Sequence, residues 1–285
     1  MTFRRLCRAA PLFPELLAAI HDPPPVLWVR GEAELSLLSA PAVAIVGARA
    51  CSSYGRSVAR SLARELASAG LVIVSGLARG IDGEAHRGAL DVDGRTVAVL
   101  GCGVGRDYPA AHGELAARIC ERGLVVSEYE PGVEPAPWRF PARNRIIAGL
   151  CGATVVVEAR ERSGALITAD FALEDGREVM VVPGEITSAL SHGTNALLRL
   201  GATPVTSAAD VLESFGMVRV VEPPEALGGP AAVLLERLAE SPASIDELAR
   251  LSGAPPGDVA AALIELELAG RIREADGVYR ATIAR

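Results

Sequence analysis

Short apolar runs alternate with amphipathic segments of helical length between about residues 40 and 215, and this alternation constrains the fold more than any other feature of the chain. The strand-like runs are Val43–Gly47, Leu71–Ser75, Thr96–Gly101, Leu124–Ser127, Thr154–Glu158 and Glu178–Val182. The helix-like segments include Ser53–Ala69, Asp82–Leu90, Gly113–Arg122, Ala165–Glu174 and Thr194–Leu200. Most strand-like runs have no polar interruption, which is typical of strands covered on both faces. The pattern predicts an α/β domain, a doubly wound and mostly parallel sheet with helices on both sides.

Three proline-rich joints divide the chain, at 22–25, 130–137 and 222–230. Proline and glycine clusters of this kind mark turns and linkers. The middle joint lies inside the alternating region and is interpreted as an insertion. We expect a short N-terminal segment at 1–25, a large domain at 26–220, a linker at 221–230 and a small domain at 231–285.

All 28 basic residues are arginine, and the chain has no lysine. This bias fits an arginine-rich genome, and it also fits a demand for the bidentate phosphate contacts that arginine makes. Composition does not separate the two explanations. Since the net charge is −7, any anion-binding site must be a local patch. Aromatic residues make up only 4% of the chain, so the core must be aliphatic.

The five cysteines include no C-x-x-C pair, a pattern typical of reduced, structural thiols in a cytoplasmic protein, and no metal site is expected. No apolar run approaches the ~20 residues of a membrane span. Pro11, Pro14 and Glu15 interrupt the mildly apolar start, which argues against a signal peptide. The chain is therefore predicted to be cytoplasmic.

Small residues follow the first strand, in Gly47-Ala48-Arg49 and Cys51–Gly55, just before a helix. A helix N-terminus offers free N–H groups and the positive end of the helix dipole to an anion. We interpret this loop as a phosphate-binding turn, with a plain tight turn and N-cap as the alternative. The dinucleotide pattern G-x-G-x-x-G and the P-loop pattern G-x-x-x-x-G-K-[ST] do not occur here, so no cofactor is predicted.

Asp82 and His86 follow the second strand, one helical turn apart. Asp82 is placed to cap the helix that follows. An acid and a histidine invite a general-base interpretation, but we find no serine or cysteine nucleophile with a clear activating partner. We therefore expect structural roles for both residues, and no catalytic residues.

Residues 138–145 place three arginines and two aromatic residues in Trp138-Arg139-Phe140-Pro-Ala-Arg143-Asn144-Arg145. Arginine offers planar donors to phosphate, and an aromatic face can stack an unpaired base. A helix is expected to open at Arg143, where positive charge opposes the helix dipole, so these arginines need another role. The alternative is a surface cluster of salt bridges, and Glu158 is a candidate partner for Arg143 or Arg145.

Sequence motifs that share one order with a known family cover roughly residues 13 to 215. They are Phe13-Pro14 through Pro24-Pro25-Val-Leu, Val43-Ala-Ile-Val-Gly-Ala-Arg49, Ser75-Gly-Leu-Ala-Arg-Gly-Ile-Asp82, Ala85-His86, Tyr108-Pro109, Ser127-Glu128, Phe140-Pro-Ala-Arg-Asn-Arg-Ile-Ile147, Ser163-Gly-Ala-Leu-Ile-Thr168, Pro183-Gly184 and Gly193-Thr-Asn195. Together they closely resemble the DprA (Smf) DNA-processing proteins of bacteria. The resemblance implies an extended Rossmann-like domain that binds single-stranded DNA, protects incoming DNA in natural transformation and loads the RecA recombinase. It also implies a homodimer.

Carried over position by position, the resemblance implies DNA contacts on the loops that follow the strands. The implied residues are Gly47, Ala48, Arg49, Ser75, Gly76, Arg139, Phe140, Arg143, Asn144, Arg145, Thr168 and Asn195. Two features depart from many relatives. We expect the helical domain that precedes their Rossmann-like part to be missing or reduced to 1–25, and we expect arginine to serve where they carry lysine. The RecA-contacting surface is left unassigned.

Residues 231–285 contain three helix-like segments and a short hairpin, and Ser244 with Glu247 forms a capping-box pattern. This arrangement resembles the winged helix that many family members carry at this end. The module has six arginines and nine acidic residues, a net charge of −3, and its expected recognition helix at 256–269 has no basic residue. Because DNA phosphates would repel that helix, we expect contact with protein rather than with duplex DNA.

Two other functions remain as alternatives. A related Rossmann-like nucleotide hydrolase would typically show P-G-G-x-G-T-x-x-E, from which Pro183-Gly184-Glu185 and His192–Asn195 depart. A ligand-sensing transcriptional regulator would dock the winged module on duplex DNA, which the acidic helix disfavours. The leading hypothesis is a non-enzymatic, single-stranded DNA-binding mediator of recombination.

Overall fold

The computed structural model describes residues 2–217, 229–275 and 277–281. The chain divides into two compact units, Met1–Arg219 and Val220–Arg285, and each is described by itself. Most of the predicted linker, 221–228, lies outside the described residues, as does Asp276 in the hairpin.

The large unit contains nine strands and eight α-helices in its described residues. Its strands are β1 (Arg4–Cys7), β2 (Val26–Arg30), β3 (Ala42–Val46), β4 (Val72–Ser75), β5 (Thr96–Val99), β6 (Leu124–Ser127), β7 (Ala153–Val156), β8 (Glu178–Val181) and β9 (Thr203–Pro204). Its helices are α1 (Glu15–Ala18), α2 (Ser53–Ser68), α3 (Ile81–Leu90), α4 (Gly113–Arg122), α5 (Arg139–Gly149), α6 (Gly164–Glu174), α7 (His192–Arg199) and α8 (Ala208–Ser214). The six predicted strands and five predicted helices are confirmed, with ends that agree to within two residues.

All nine strands form one sheet in the order β1-β2-β6-β5-β4-β3-β7-β8-β9. The strands from β6 to β9 in this order are parallel to their neighbours, whereas β2 pairs antiparallel with β6 and β1 antiparallel with β2. The predicted doubly wound, mostly parallel sheet is therefore confirmed. The alternating pattern did not indicate β1 and β2, which extend the sheet beyond its parallel part.

Strand β3 shows why the strands are uninterrupted apolar runs. Val43 and Ile45 pack in one core with side chains of α2, α3 and α8. Ala44 and Val46 pack in a second core with side chains of α1, α5 and α6. Successive side chains of a strand point to opposite faces of the sheet. Because helices cover both faces, every position of β3 must be apolar.

The chain changes direction across the sheet at β3. From β3 it proceeds through β4, β5 and β6 on one side, and it then returns to place β7, β8 and β9 on the other. The loops that leave the carboxyl ends of β3 and β7 therefore diverge and open a crevice between them. Such switch points are where ligands bind in open α/β sheets.

The small unit is a three-helix module with a three-stranded sheet. It comprises α9 (Gly229–Glu240), β10 (Ala243–Ser244), α10 (Ile245–Ser252), α11 (Pro256–Leu268), β11 (Ile272–Ala275) and β12 (Val278–Ala281). The predicted capping box is confirmed, since Ser244 and Glu247 satisfy each other's backbone N–H groups at the start of α10. The helices bury a core of their own, which includes Leu234, Leu248 and Leu263.

Candidate nucleic-acid interface

A cavity of about 250 Å³ lies at the switch point of the large sheet. We call it the switch-point cavity. Its walls come from the loops after β3 and β4, from one face of α5, and from the turn that starts α6. The lining residues are Val46, Gly47, Arg49, Ala78, Asp82, Arg143, Asn144, Ile147, Ser163, Gly164, Ala165 and Thr168. Five of the residues implied by the family resemblance are thus brought together: Gly47, Arg49, Arg143, Asn144 and Thr168.

Arg143 forms the floor of the cavity and is only 4% exposed. Its guanidinium donates to the carbonyl oxygens of Gly76 (2.7 Å) and Val99, and to the Oδ1 of Asn144 (3.1 Å). A Cβ on residue 76 would overlap this guanidinium, so glycine is needed there. Burial lowers the pKa of Arg143 to about 10. The arginine therefore ties α5 to the ends of β4 and β5 with donors that a ligand would otherwise use.

Asp82 is the charge partner of Arg143, at 3.9 Å. Its Oδ2 accepts hydrogen bonds from the backbone N–H groups of Gly76 (3.1 Å) and Ala78 (3.4 Å). Burial raises the pKa of Asp82, although Arg143 and the two N–H groups oppose that shift. The expectation that Asp82 caps the next helix was wrong: Asp82 lies inside α3, and Gly80 occupies the N-cap. Asp82 instead closes the loop between β4 and α3.

The Glu158 carboxylate lies at the N-terminus of α2, the place where the sequence predicts a bound phosphate. Its carboxylate accepts from the backbone N–H (2.9 Å) and the hydroxyl (2.5 Å) of Ser52, the N-cap residue. The Ser52 Oγ in turn accepts from the N–H of Gly55 (2.9 Å), and a Cβ on Gly55 would overlap the carboxylate. Helix N-termini attract anions, and here the chain supplies its own. The proposed pairing of Glu158 with Arg143 or Arg145 was therefore wrong.

Helix α5 begins at Arg139, one turn earlier than expected at Arg143. Pro141 did not prevent this, because the first turn of a helix has no N–H groups bonded within the helix. Arg145 consequently lies in the middle of α5. It pairs bidentately with Glu128 (2.8 Å for both bonds) and contacts Asp22 through Nε (3.0 Å). For Arg145, the alternative of a salt-bridge cluster is therefore correct, with Glu128 and Asp22 as its partners.

Arg49 has a different environment from the two arginines of α5. Its side chain is exposed, and no carboxylate lies within ion-pair distance of it in the described parts of the chain. The guanidinium lies 5.5 Å from the ring centre of Phe140. Phe140 stacks on Tyr108, with ring centres 5.0 Å apart and planes inclined at 26°. An accessible cation therefore adjoins an aromatic stack at the mouth of the cavity.

A second aromatic group surrounds Arg139. Its guanidinium lies 4.8 Å from the ring centres of both Tyr129 and Trp138. The two rings meet edge to face at 6.3 Å, and Trp138 is 63% exposed. We call Arg49, Tyr108, Phe140, Tyr129, Trp138 and Arg139 together the arginine–aromatic edge. It offers cationic charge to phosphate and ring faces to bases.

The remaining implied residues support the backbone around the cavity. The Ala48 N–H donates to the Glu158 carbonyl oxygen (2.7 Å), and the Ser75 hydroxyl donates to that of Ile45 (2.7 Å). Asn195 exchanges two hydrogen bonds with the backbone of Gly184 and does not line the cavity. These polar groups hold loops in place and have their bonding capacity used inside the protein.

His86 is buried and neutral. Its Nδ1 lies 2.7 Å from the Thr96 hydroxyl, which donates its own hydrogen to the Ile73 carbonyl oxygen (2.7 Å). The hydroxyl must therefore accept from the Nδ1–H of His86. Burial, with repulsion from His112 and Arg143, lowers the pKa of His86 to about 3. The structural role expected for His86 agrees with this geometry.

Tyr108 and Tyr129 were missed as candidate site residues. Each appears in the sequence as one aromatic residue in a polar loop outside the stretch 138–145, Tyr108 well before it and Tyr129 nine residues before Trp138. The motifs Tyr108-Pro109 and Ser127-Glu128 marked their neighbourhoods but gave no reason to single out the rings. The sheet order, which sets β5 and β6 beside each other, brings both loops to α5.

The described residues offer neither a metal cluster nor a helix suited to a membrane. Within residues 2–217, 229–275 and 277–281, no three histidine, cysteine or acidic side chains cluster so as to hold a metal ion. No helix in the same ranges is both long and apolar enough to cross a membrane.

The open, doubly wound sheet with a cavity at its switch point defines a Rossmann-like α/β protein, and arginine and aromatic side chains gather beside that cavity. The family described as DNA recombination-mediator protein A matches residues 4–216, and the DprA winged helix domain matches residues 221–277. Protein Smf of Escherichia coli is 42% identical over 279 residues, which cover 94% of this chain and 74% of that protein. The chain belongs to the DprA (Smf) family of DNA-processing proteins.

Solved structures of DprA proteins share this fold, among them those of two bacterial relatives. DprA of Streptococcus pneumoniae is 46% identical, has a TM-score of 0.71, and is matched over 74% of each chain. DprA of Helicobacter pylori is 31% identical with a TM-score of 0.67, over 75% of this chain and 95% of its own. The latter structure describes how that protein binds single-stranded DNA. The family resemblance, the Rossmann-like fold and the winged helix are confirmed.

Proposed function

We propose that this chain binds single-stranded DNA along the arginine–aromatic edge, protects incoming DNA in natural transformation and delivers it to the RecA recombinase. The observation that carries the proposal is the position of Arg49, which is exposed and has no ion-pair partner among the described residues, beside the Phe140–Tyr108 stack at the switch-point cavity. A guanidinium binds phosphate, and a ring stacks any unpaired base. The Helicobacter pylori relative supports it, since that protein binds single-stranded DNA.

Because Glu158 occupies the N-terminus of α2, a DNA single strand is favoured as the ligand over a free nucleotide. A nucleotide site of the dinucleotide-binding type places its phosphate at that N-terminus. Glu158 holds an internal carboxylate there, 5% exposed, which would repel a phosphate. The accessible cations lie instead along the edge, where successive phosphates of a strand can reach them.

The implied DNA-binding residues take two roles in this proposal. Arg49, Arg139 and Phe140 contact the strand, because their charged or aromatic groups belong to the arginine–aromatic edge. The others position the loops that carry these contacts. They are Gly47, Ala48, Ser75, Gly76, Arg143, Asn144, Arg145, Thr168 and Asn195.

A titration of a labelled single strand, followed by fluorescence anisotropy, tests the proposal. We expect the Arg49→Ala and Phe140→Ala changes together to weaken binding by at least about tenfold, since one stacked base and one phosphate contact are lost. Arg122→Ala is a matched control, because Arg122 ends α4 at the opposite edge of the sheet and pairs with Asp93. Equal binding by the double variant and the parent would contradict the proposed site.

The same titration with duplex DNA tests the proposed role of the small unit. Its α11 carries Asp258, Glu265 and Glu267, and exposes Ile264 (59%) and Leu268 (85%). Acidic and apolar groups suit a protein partner, and phosphates would be repelled. Tight duplex binding by the full chain would contradict a protein-contact role.

The chain acts by binding, without chemical turnover, in this proposal. The labelled strand and a nucleoside monophosphate should both be recovered unchanged after incubation, as checked by mass spectrometry. Release of nucleobase would instead favour the nucleotide hydrolase alternative.

Delivery to RecA is supported by the recombination-mediator description of the matching family. The test uses a single strand coated with single-strand-binding protein, on which RecA assembles slowly. The parent chain should shorten the delay before RecA hydrolyses ATP, and the double variant at Arg49 and Phe140 should not. A parent chain that leaves the delay unchanged would contradict delivery.

A homodimer is supported by an apolar surface on α6 and α7. Leu166, Ile167, Leu197 and Leu200 line a cavity of about 430 Å³ there, and Leu200 is 84% exposed. Exposed apolar patches of this kind mark association surfaces. Sedimentation should show a dimer that Leu200→Glu dissociates, whereas Ile186→Glu, equally exposed (87%) but outside this cavity, should leave it intact. A monomeric parent would contradict the dimer.

A further inference from the structure

Among the described residues, Trp138 is the most exposed aromatic side chain, at 63%. Burial of its large apolar surface is the main way in which an indole stabilises a fold, so the exposure of Trp138 needs a reason. The other tryptophan, Trp28, is half-buried within strand β2. Trp138 is not left loose: its ring meets Tyr129 edge to face, at 6.3 Å.

Arg139 organises the two rings. Its guanidinium lies 4.8 Å from each ring centre and donates to the Glu134 carbonyl oxygen in the preceding loop. A cation beside a ring orients it and places positive charge within reach of a neighbouring anion. The group therefore offers an accessible ring and a cation side by side, which suits a base and its phosphate.

Trp138 and Phe140 cannot stack on one base. Trp138 is the N-cap of α5 in helical conformation, and Phe140 follows two residues later. Side chains two residues apart point about 200° apart around a helix axis. Phe140 faces Tyr108 and Arg49, whereas Trp138 faces Tyr129 and Arg139. The edge thus divides into two separate stations on either side of the start of α5.

We propose that Trp138, with Tyr129 and Arg139, is a second base-stacking station for a single strand. The strand crosses the start of α5 and places one base against Phe140 and another against Trp138, with the guanidinium of Arg139 near the phosphates between them. This inference rests on the proposed single-strand binding. It gives a specific role to Trp138, which the sequence places in the stretch 138–145 but which is not among the residues implied by the family resemblance.

The experiment uses the emission of Trp138 in the full chain. A Trp28→Phe background leaves Trp138 as the one tryptophan of the sequence. We titrate this variant with a labelled oligothymidylate of about 16 nucleotides, a length that suits extended single-strand sites. A strand of the same length without bases is the control. The thymidylate should quench the Trp138 emission, and the abasic strand should not.

Affinity gives the second measurement. Trp138→Leu removes the ring but keeps an apolar side chain of moderate size at an exposed position, so folding is checked by an unchanged melting temperature. It should weaken thymidylate binding about tenfold, the factor expected for one stacked base, and should leave abasic-strand binding unchanged. Trp138→Phe should restore most of the loss.

The outcomes separate the inference from the proposed function. Strand binding seen by anisotropy with unchanged Trp138 emission, or with Trp138→Leu as tight as the parent, would overturn the second station and leave the proposed function standing. A chain that binds no single strand at all would overturn both.

Discussion

Replacing Arg143 with methionine should destabilise the large unit strongly, although a surface interpretation of residues 138–145 would predict almost no effect. Methionine keeps the length and apolar bulk of the side chain but removes its guanidinium. Asp82 would then lose the ion-pair partner of its buried carboxylate, and the carbonyl oxygens of Gly76 and Val99 would lose the guanidinium donor. Removing one partner of a buried ion pair costs about 3–5 kcal/mol. The lost hydrogen bonds are part of the same network and do not add in full.

Urea unfolding followed by tryptophan emission measures this cost in the large unit, because Trp28 and Trp138 both belong to it. We expect the free energy of unfolding to fall by about 3–5 kcal/mol at neutral pH. The matched control is Arg122→Ala, which removes an exposed ion pair in which Arg122 and Asp93 are 56% and 75% accessible. That change should cost less than about 1 kcal/mol.

The pH dependence of the loss follows from Asp82. Burial already raises the pKa of this carboxyl, and removal of Arg143 raises it further. A carboxyl with a raised pKa binds its proton more tightly in the folded state, so this group favours folding more as pH falls toward its ordinary value of 3.8. The penalty of Arg143→Met should therefore shrink on acidification. Adding Asp82→Asn should also shrink it at neutral pH. A loss under about 1 kcal/mol, or one untouched by Asp82→Asn, would refute the buried-pair argument.

Three further predictions concern the groups around the cavity. Glu158→Ala should weaken single-strand binding in the anisotropy titration, because Ser52 loses the acceptor that fixes the loop carrying Arg49; unchanged affinity would show that this loop keeps its conformation without Glu158. Gly76→Ala should lower the melting temperature, since its Cβ overlaps the Arg143 guanidinium; an unchanged melting temperature would mean that the arginine moves freely. His86→Gln should remove part of the acid sensitivity between pH 6.5 and about 3, since a histidine with a lowered pKa costs stability as pH falls through that range; parallel urea stabilities of parent and variant across it would rule out the buried neutral histidine.

The sequence by itself determined the α/β architecture and the order of its elements. A strand such as β3 contacts one core through Val43 and another through Ala44, so a sheet covered on both faces leaves an uninterrupted apolar run in the sequence. Helices of normal length between such runs leave little choice but parallel crossovers. The start of α10 in the small unit was also predictable, because both residues of its capping box lie within four consecutive positions. These signals are local, and local signals are readable from sequence.

Only the tertiary structure decided which charges are available to a ligand. Arg143 and Arg145 lie in the same motif as Arg139, yet both are taken up by partners inside the protein. The partners are remote in sequence: Arg145 pairs with Asp22, 123 residues away, and Ser52 pairs with Glu158 across 106 residues. Hydrogen bonds and ion pairs act over a few ångströms, and strand order determines which side chains come that close. A motif can therefore indicate that arginines gather at a site, but the order of the strands in the sheet decides which of them stays accessible to a ligand.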